Sequence, residues 1–228
     1  MGLLVNGEWV DKWYDTEKSD GKFVRQDSRF RDTISSAQNS KFKPEAGRYH
    51  LYVSLACPWA HRTIIFRKLK QLEDIISMSI VEAPMMENGW EFGEQGDPLY
   101  NLDYAYQLYL KADPSYEGRV TVPILWDKKT QTIVNNESIE IIRMFNSAFN
   151  ELTGNTDDYY PDALREEIEI VNTRVYNTIN NGVYKAGFAT TQKAYNEAYI
   201  ALFDSLDWLE ARLAKQRYLV GDTLTEAD

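Results

Sequence analysis

The sequence predicts an α/β domain followed by an all-helical domain. Between residues 48 and 150, short runs of β-branched and aromatic residues alternate with helical patterns, in the order strand, helix, strand, long connection, strand, strand, helix. From residue 161 onwards, apolar residues recur only at helical spacing. A chain of 228 residues is long enough for two small domains. We therefore expect an α/β domain over 48–150 and a helical domain over 161–228.

The first 47 residues predict an N-terminal extension, spanning 1–47, without a regular pattern of its own. The segment is rich in Asp, Lys, Ser and Gly, and its apolar residues follow no period of 2 or 3.6. We expect the rings scattered along it to pack against the rest of the protein. These rings belong to Trp9, Trp13, Tyr14, Phe23 and Phe30.

The α/β domain is predicted to begin with a βαβ unit. Residues 49–54 have the composition of a strand, and the next helix should begin at Cys57 and Pro58, because proline is favoured at the first helical position. Residues 75–81 predict a second strand, which a right-handed crossover would place parallel to the first. The long connection that follows, 82–118, is of a length that is usually functional.

A short helix, a pair of strands and a second long helix are predicted to complete this domain. The short helix is expected around 104–111, and strands are expected over 120–126 and 130–134, with a hairpin-sized gap between them. Asn135 and Asn136 should cap the helix that follows. The apolar face of that helix comprises Ile141, Phe145, Ala148 and Phe149.

A polar, turn-rich segment over 151–160 predicts the linker between the domains. Beyond it, helical spacing predicts one amphipathic helix that stops at Asn181 and Gly182, and a second that ends at Leu213. Tyr184 lies in the glycine-bounded segment between these two helices.

The last four residues have the pattern of a capping box. Thr225 stands at the N-cap position and Asp228 is the acid three residues later. This pattern predicts that a further helix begins here and that the helical domain over 161–228 is truncated.

The composition excludes several classes of function. The 25 Lys and Arg residues are outnumbered by 35 Asp and Glu residues, and the net charge of -10 has the wrong sign for binding nucleic acid. No apolar run approaches the roughly 20 residues of a membrane helix, and the N-terminus lacks the apolar stretch of a signal peptide. We therefore expect a cytoplasmic protein with neither nucleic acid nor membrane as a partner.

The single cysteine, Cys57, is the strongest chemical signal. It can form neither an intramolecular disulfide nor a Cys-rich metal site. A lone cysteine is usually a buried and inert residue, but a position before the first turn of a helix stabilises the thiolate. The fourth residue of the motif that Cys57 begins is Ala60, not a second cysteine. A disulfide formed at Cys57 must therefore be resolved by an external thiol, of which glutathione is the obvious one.

Several motifs, in order along almost the whole chain, resemble those of a known family. Three of them resemble a thioredoxin-fold glutathione transferase of the cysteine type: Cys-Pro-Trp-Ala-His-Arg at 57–62, Val-Pro at 122–123 and Asn-Glu-Ser-Ile at 136–139. Three more resemble the glutathionyl-hydroquinone reductases, the Xi class: Asn-Gly-Trp at 88–90, Arg-Val-Thr-Val-Pro at 119–123 and Asn-Gly-Val-Tyr-Lys-Ala-Gly-Phe-Ala at 181–189.

The resemblance implies a thioredoxin-like domain that binds glutathione as a co-substrate, without a metal, in a homodimer. It implies that Cys57 is the nucleophile, that Tyr184 is an acid/base beside the aromatic substrate, and that Pro123 follows a cis peptide bond. The glutathione contacts that it implies are Trp90, Arg119, Val120, Thr121, Val122, Glu137 and Ser138.

The implied reaction is the glutathione-dependent reduction of glutathionyl-hydroquinones to hydroquinones. It proceeds through a Cys57–glutathione mixed disulfide and releases oxidised glutathione. Two alternatives stay open at this point. An omega-like thiol transferase or dehydroascorbate reductase would share Cys57, Pro123 and the pair Glu137 and Ser138, but it lacks the extension and the long 82–118 segment. A transferase-like interaction module without catalytic activity would need no reactive thiol.

Overall fold

The computed structural model describes residues 2–228, which divide into two compact units. The α/β unit contains the chain up to residue 13 and residues 27–157, and the helical unit contains 14–26 and 158–228. The segment that we predicted as an N-terminal extension is therefore divided, because its middle part belongs to the helical unit.

Strands and helices alternate in the first unit, whereas helices alone follow in the second. The strands are β1 (Leu3–Val5), β2 (Glu8–Val10), β3 (Tyr49–Val53), β4 (Ile76–Ile80), β5 (Gly118–Arg119), β6 (Ile124–Asp127) and β7 (Thr132–Asn135). The helices are α1 (Pro58–Leu69), α2 (Ala105–Ala112), α3 (Ser138–Ser147), α4 (Asn150–Thr153), α5 (Arg165–Val175), α6 (Gly182–Gly187) and α7 (Gln192–Leu213). Within residues 2–228, no helix is both long and apolar enough to cross a membrane.

A four-stranded sheet with the order β4-β3-β6-β7 forms the core of the α/β unit. β3 and β4, which α1 connects, pair in parallel. β3 pairs with β6 in antiparallel orientation, and β6 pairs with β7 in antiparallel orientation. All five residues of β3 are buried, as expected for a central strand. This arrangement confirms the predicted βαβ and ββα halves and the thioredoxin-like fold.

The strand predicted over 120–126 is shorter in the structure and begins only at Ile124. Pro123 has no N–H group to donate to a strand ladder, so residues 120–123 form an irregular segment instead. The peptide bond between Val122 and Pro123 is cis, as the resemblance implies.

The helix cap predicted at Asn135 and Asn136 is also displaced. Asn135 is the last residue of β7, and the N-cap of α3 is Glu137. The Asn135 side chain still contributes, because its Oδ1 accepts the N–H of Glu137 at 2.7 Å. The asparagines therefore indicated the approximate position of the helix start but not the residue that is its N-cap.

In the helical unit, the first predicted helix ends at the expected position, because Asn181 is its C-cap residue and a separate helix begins at Gly182. One turn of π-helix follows α5, and its i to i+5 hydrogen bonds include one from Asn181 N–H to Tyr176 O at 3.0 Å. The helix α6 then begins at Gly182. Gly182 is buried, and a Cβ there would contact Leu202 of α7. At 3.7 Å from the Leu202 Cβ, that contact would be an ordinary van der Waals contact, so the packing of α6 on α7 does not require glycine here. The second predicted helix is confirmed as α7.

The residues of the predicted capping box interact, although in a different pairing. Asp228 Oδ2 accepts the N–H of Thr225 at 2.9 Å, as in a capping box. The Thr225 hydroxyl accepts the N–H of Ala227 at 3.3 Å, one residue earlier than the pattern predicts.

The aromatic residues of the N-terminal extension pack on both units, as predicted. In the α/β unit, Trp9 stacks on Tyr106 with ring centroids 5.1 Å apart. In the helical unit, Phe23 lies against Phe188, with ring centroids 5.5 Å apart.

Candidate active site

Cys57 is the N-cap residue of α1, immediately after the buried strand β3. Its backbone is extended, with φ -100° and ψ 112°, and its carbonyl accepts the N–H of His61 at 3.0 Å. The side chain is partly exposed. The sulfur therefore lies where the first N–H groups of a helix have no intrahelical partner, as the sequence predicts.

The Val122 carbonyl lies directly beside the thiol. Cys57 Sγ donates to Val122 O at 3.5 Å. The helix start favours the thiolate, whereas a hydrogen bond to a carbonyl oxygen favours the protonated thiol, so the two influences oppose each other. The loop implied to bind the peptide backbone of glutathione is thus in contact with the Cys57 thiol.

Arg62, on the helix α1 that begins after Cys57, contacts both Glu137 and Ser138. Arg62 lies on α1 and donates from Nε and Nη2 to Ser138 Oγ, at 3.0 and 2.6 Å. Its Nη2 is also 4.0 Å from Glu137 Oε1. Arg62 is a site residue that sequence reasoning missed, although it closes the motif that Cys57 begins, because its role depends on the packing of α1 against α3.

The contact with Arg62 determines what the Ser138 hydroxyl can do. A hydroxyl has one donor and two acceptor positions, and the guanidinium can only donate. Because Ser138 Oγ accepts from Arg62, its own O–H group can donate to an acceptor such as a carboxylate. Ser138 is buried at the start of α3, where the helix dipole favours an anion.

The buried hydroxyl of Tyr109 connects the two loops of the site. It donates to the Thr121 carbonyl at 2.8 Å and accepts from Asn136 Nδ2 at 3.0 Å. Burial raises the pKa of Tyr109, so the phenol remains protonated and can donate. Val120 and Val122, the residues on either side of Thr121, are buried.

Arg119 and Trp90 are placed by backbone contacts in the same unit. Arg119 Nη1 donates to the carbonyl of Lys12, and the Arg119 carbonyl accepts from the Tyr116 hydroxyl at 3.0 Å. Trp90 is half-buried in the connection between β4 and α2, and its carbonyl accepts the N–H of Ala105 at 2.9 Å. A glutathione contact by Trp90 or Arg119 stays a prediction.

Tyr184 belongs to the helical unit. The glycine-bounded segment that carries it is the helix α6, and its ring lies near those of Phe23 and Phe188, with centroids 6.2 and 5.9 Å away. The acid/base role of Tyr184 stays a prediction.

His50 provides no proton-transfer group for this site. Its two ring nitrogens lie 2.7 and 2.8 Å from the hydroxyls of Ser77 and Ser79, and burial, with Lys128 and Arg67 nearby, lowers its pKa to about 4. No group of three or more His, Cys, Asp or Glu side chains in residues 2–228 is arranged to hold a metal ion.

Comparisons with known proteins show that the chain is similar to glutathione S-transferases. The model of the glutathione S-transferase N-terminal domain matches residues 56–148, and that of the C-terminal domain matches 192–228. The chain is 56% identical to the glutathionyl-hydroquinone reductase PcpF of Sphingobium chlorophenolicum, over all of this chain and 73% of the relative.

Two solved structures are also similar. The glutathione S-transferase Xi of Phanerochaete chrysosporium is 56% identical, with a TM-score of 0.87, over 90% of this chain and 72% of that one. The glutathione-bound structure of YqjG, a glutathione transferase homologue from Escherichia coli, is 56% identical, with a TM-score of 0.83, over 87% of this chain and 68% of that one.

Proposed function

Because this chain belongs to the Xi class of the glutathione S-transferase family, we propose that it reduces glutathionyl-hydroquinones to hydroquinones at the expense of glutathione. The observation that carries the proposal is the position of one thiol, Cys57, which lies beside the Val122 carbonyl at the start of α1. Arg62 of the same helix donates a hydrogen bond to Ser138. This arrangement combines a nucleophilic sulfur with groups suited to a peptide backbone and a carboxylate. The chain is a glutathione-dependent oxidoreductase.

In the first step, the Cys57 thiolate attacks the sulfur of the glutathionyl-hydroquinone. An S–S bond forms between Cys57 and the glutathionyl group, and the bond between that sulfur and the ring carbon breaks. The electron pair of the broken bond stays on the carbon, which must take a proton before the hydroquinone leaves. We assign delivery of this proton to Tyr184.

In the second step, the thiolate of a second glutathione attacks the glutathionyl sulfur of the mixed disulfide. Cys57 leaves as a thiolate, and oxidised glutathione is released. The ring carbon gains two electrons, and the two sulfurs, one from the substrate thioether and one from the free glutathione thiol, each lose one, so the electrons balance without a metal or a further reductant. No second cysteine exists in the sequence that could resolve the disulfide instead.

The polar groups of the site match the ends of glutathione. The Ser138 hydroxyl and the start of α3 suit the γ-glutamyl carboxylate, and Glu137 suits the ammonium group. The Val122 backbone suits pairing with the cysteinyl residue, in the manner of an added strand. Trp90, Arg119, Val120 and Thr121 complete the proposed set of contacts.

A turnover assay tests the proposed function. The protein is incubated with a glutathionyl-hydroquinone and glutathione, and hydroquinone and oxidised glutathione should appear in equal amounts. Faster reduction of dehydroascorbate would favour the omega-like activity instead. Absence of both activities, with a Cys57 thiol that alkylates no faster than a free thiol, would favour an interaction module.

Arg62 offers a test of the binding site. Arg62→Gln removes a charged donor from Ser138 and a cation near Glu137, and hydrogen bonds to charged groups contribute about 1.5–3 kcal/mol. We expect the KM for glutathione to rise about 10-fold to 100-fold, since 1.4 kcal/mol corresponds to tenfold. Steady-state kinetics with glutathione as the varied substrate measure this change.

Lys68 provides the matched control for Arg62. It lies on the same helix, and its exposed side chain pairs with Glu73 at 3.0 Å. Lys68→Gln should leave the KM for glutathione unchanged. An Arg62→Gln variant with the wild-type KM would contradict the assignment of Glu137 and Ser138 to the glutathione site.

We also propose that the protein is a cytoplasmic homodimer. The resemblance to the Xi class supports the dimer, which sedimentation analysis would test. A thiol that is regenerated by reduced glutathione requires a reducing compartment, and this supports the cytoplasm.

A further inference from the structure

Ser28, a residue of the N-terminal extension, contacts the carboxylate of Glu137. Its hydroxyl is 3.1 Å from Glu137 Oε2 and 3.3 Å from the Asn136 carbonyl. Glu137 is buried, with 9% of its surface exposed. A buried carboxylate depends on the few donors that surround it, so a serine at this distance influences its orientation.

The segment around Ser28 is itself held firmly against the start of α3. Phe30 N–H donates to Asn136 Oδ1 at 3.2 Å, and the Phe30 carbonyl accepts the N–H of Asn136 at 3.1 Å. Arg31 Nε donates to Glu140 Oε2 at 2.7 Å, and its Nη2 contacts the other oxygen. Ser28 is thus presented to Glu137 from a segment with several fixed contacts.

A second part of the extension reaches the other charged residue of the proposed site. Strand β1 pairs with β5, so that Leu3 lies opposite Arg119. The carbonyl of Lys12, just beyond β2, accepts a hydrogen bond from Arg119 Nη1. Both charged side chains assigned to glutathione, Glu137 and Arg119, therefore contact the extension.

We propose that the N-terminal extension is part of the glutathione site and that Ser28 is the residue that positions Glu137. This inference rests on the proposed function, because it takes Glu137 to bind the glutathione ammonium group. A donor on Oε2 restricts rotation of the carboxylate, whose other oxygen, Oε1, lies 4.0 Å from Arg62 Nη2. Supporting contacts of this kind hold a binding group in its productive geometry.

The test compares Ser28→Ala with Ser28→Thr and Ser36→Ala. Removing one hydrogen bond to a charged group should raise the KM for glutathione about tenfold, while kcat at saturating glutathione stays close to the wild-type value. Ser28→Thr keeps a hydroxyl and should restore the KM. Ser36 is an exposed residue of the same extension, so Ser36→Ala should leave both constants unchanged.

A double-mutant cycle separates positioning from general destabilisation. In the Glu137→Gln background, the carboxylate that Ser28 orients is absent, so Ser28→Ala should cause no further rise in KM. An unchanged KM in the single variant would overturn the proposal. A tenfold rise that persists in the Glu137→Gln background would also overturn it.

Calorimetric binding of glutathione distinguishes this inference from the proposed function. If Ser28→Ala weakens binding but the wild-type protein does not reduce glutathionyl-hydroquinones, the function is wrong and the role of Ser28 stands. If the wild-type protein turns over its substrate but Ser28→Ala binds glutathione equally well, only the inference about Ser28 is wrong.

Discussion

Replacing Cys57 with serine is expected to abolish the reduction of glutathionyl-hydroquinones. A serine hydroxyl is not ionised at neutral pH and attacks sulfur poorly, and the sequence contains no other cysteine to replace the nucleophile. Loss of the nucleophile should lower kcat on the order of 10³-fold or more, as in other enzymes with covalent intermediates. Measuring hydroquinone release by Cys57→Ser and wild-type protein side by side tests this expectation.

The Cys57→Ser variant should still fold and bind glutathione. The side chain is only partly buried, and serine has nearly the same volume as cysteine. Calorimetry should therefore give a Kd for glutathione close to the wild-type value. Substantial turnover by the variant would show that the reaction does not proceed through Cys57.

Replacing Asp127 with alanine is expected to cause a large loss of stability. Arg48 donates from Nε and Nη2 to the two oxygens of Asp127, at 2.8 and 2.6 Å, and only 5% of the Arg48 side chain and none of the Asp127 side chain is exposed. Removing Asp127 takes two hydrogen bonds from the buried Arg48 guanidinium and leaves it with the partly exposed Glu45, 2.7 Å from Nη1, as its carboxylate partner. Breaking a buried pair costs about 3–5 kcal/mol, and the remaining partner should keep the loss near the lower end. Denaturant unfolding of the two proteins measures the difference.

The Arg48–Asp127 pair should also make the free energy of unfolding depend on pH in the acid range. Burial opposes ionisation of Asp127, but hydrogen bonds from Arg48, Thr130 and the Lys129 N–H outweigh it and keep the pKa below 3.8. A depressed carboxyl pKa contributes stability above the unfolded value, and this contribution is lost as the pH falls through the folded value. The free energy of unfolding should therefore fall less on acidification in Asp127→Ala than in the wild-type protein.

An exposed ion pair serves as the control for Asp127. Glu73 pairs with Lys68 on the surface of the same unit. Because exposed pairs contribute little, Glu73→Ala should leave the unfolding midpoint almost unchanged. Equal losses in the two variants would contradict the importance of the buried pair.

Local signals in the sequence predicted most elements of the fold and the position of Cys57 at a helix start. The strand before Cys57 and the proline after it are neighbours in the chain, so local pattern was sufficient to place the thiol at a helix start. The same applies to α7, whose apolar residues recur at helical spacing over many turns. The implied cis bond before Pro123 was confirmed, but it came from the resemblance.

Features that depend on tertiary contact could not be predicted in this way. Arg62 acts on Ser138 only because α1 packs against α3, and Ser28 meets Glu137 across 109 positions of sequence. The one turn of π-helix over Tyr176–Asn180 is likewise a feature that apolar spacing alone did not predict.

The central claim is that Cys57 carries the glutathionyl group between the two steps. The most direct measurement is the intact mass of the protein after reaction with one equivalent of glutathionyl-hydroquinone, without free glutathione. We predict release of one equivalent of hydroquinone, a mass increase of one glutathionyl group located on Cys57, and return to the original mass when glutathione is added. Hydroquinone release without modification of Cys57 would contradict the mechanism.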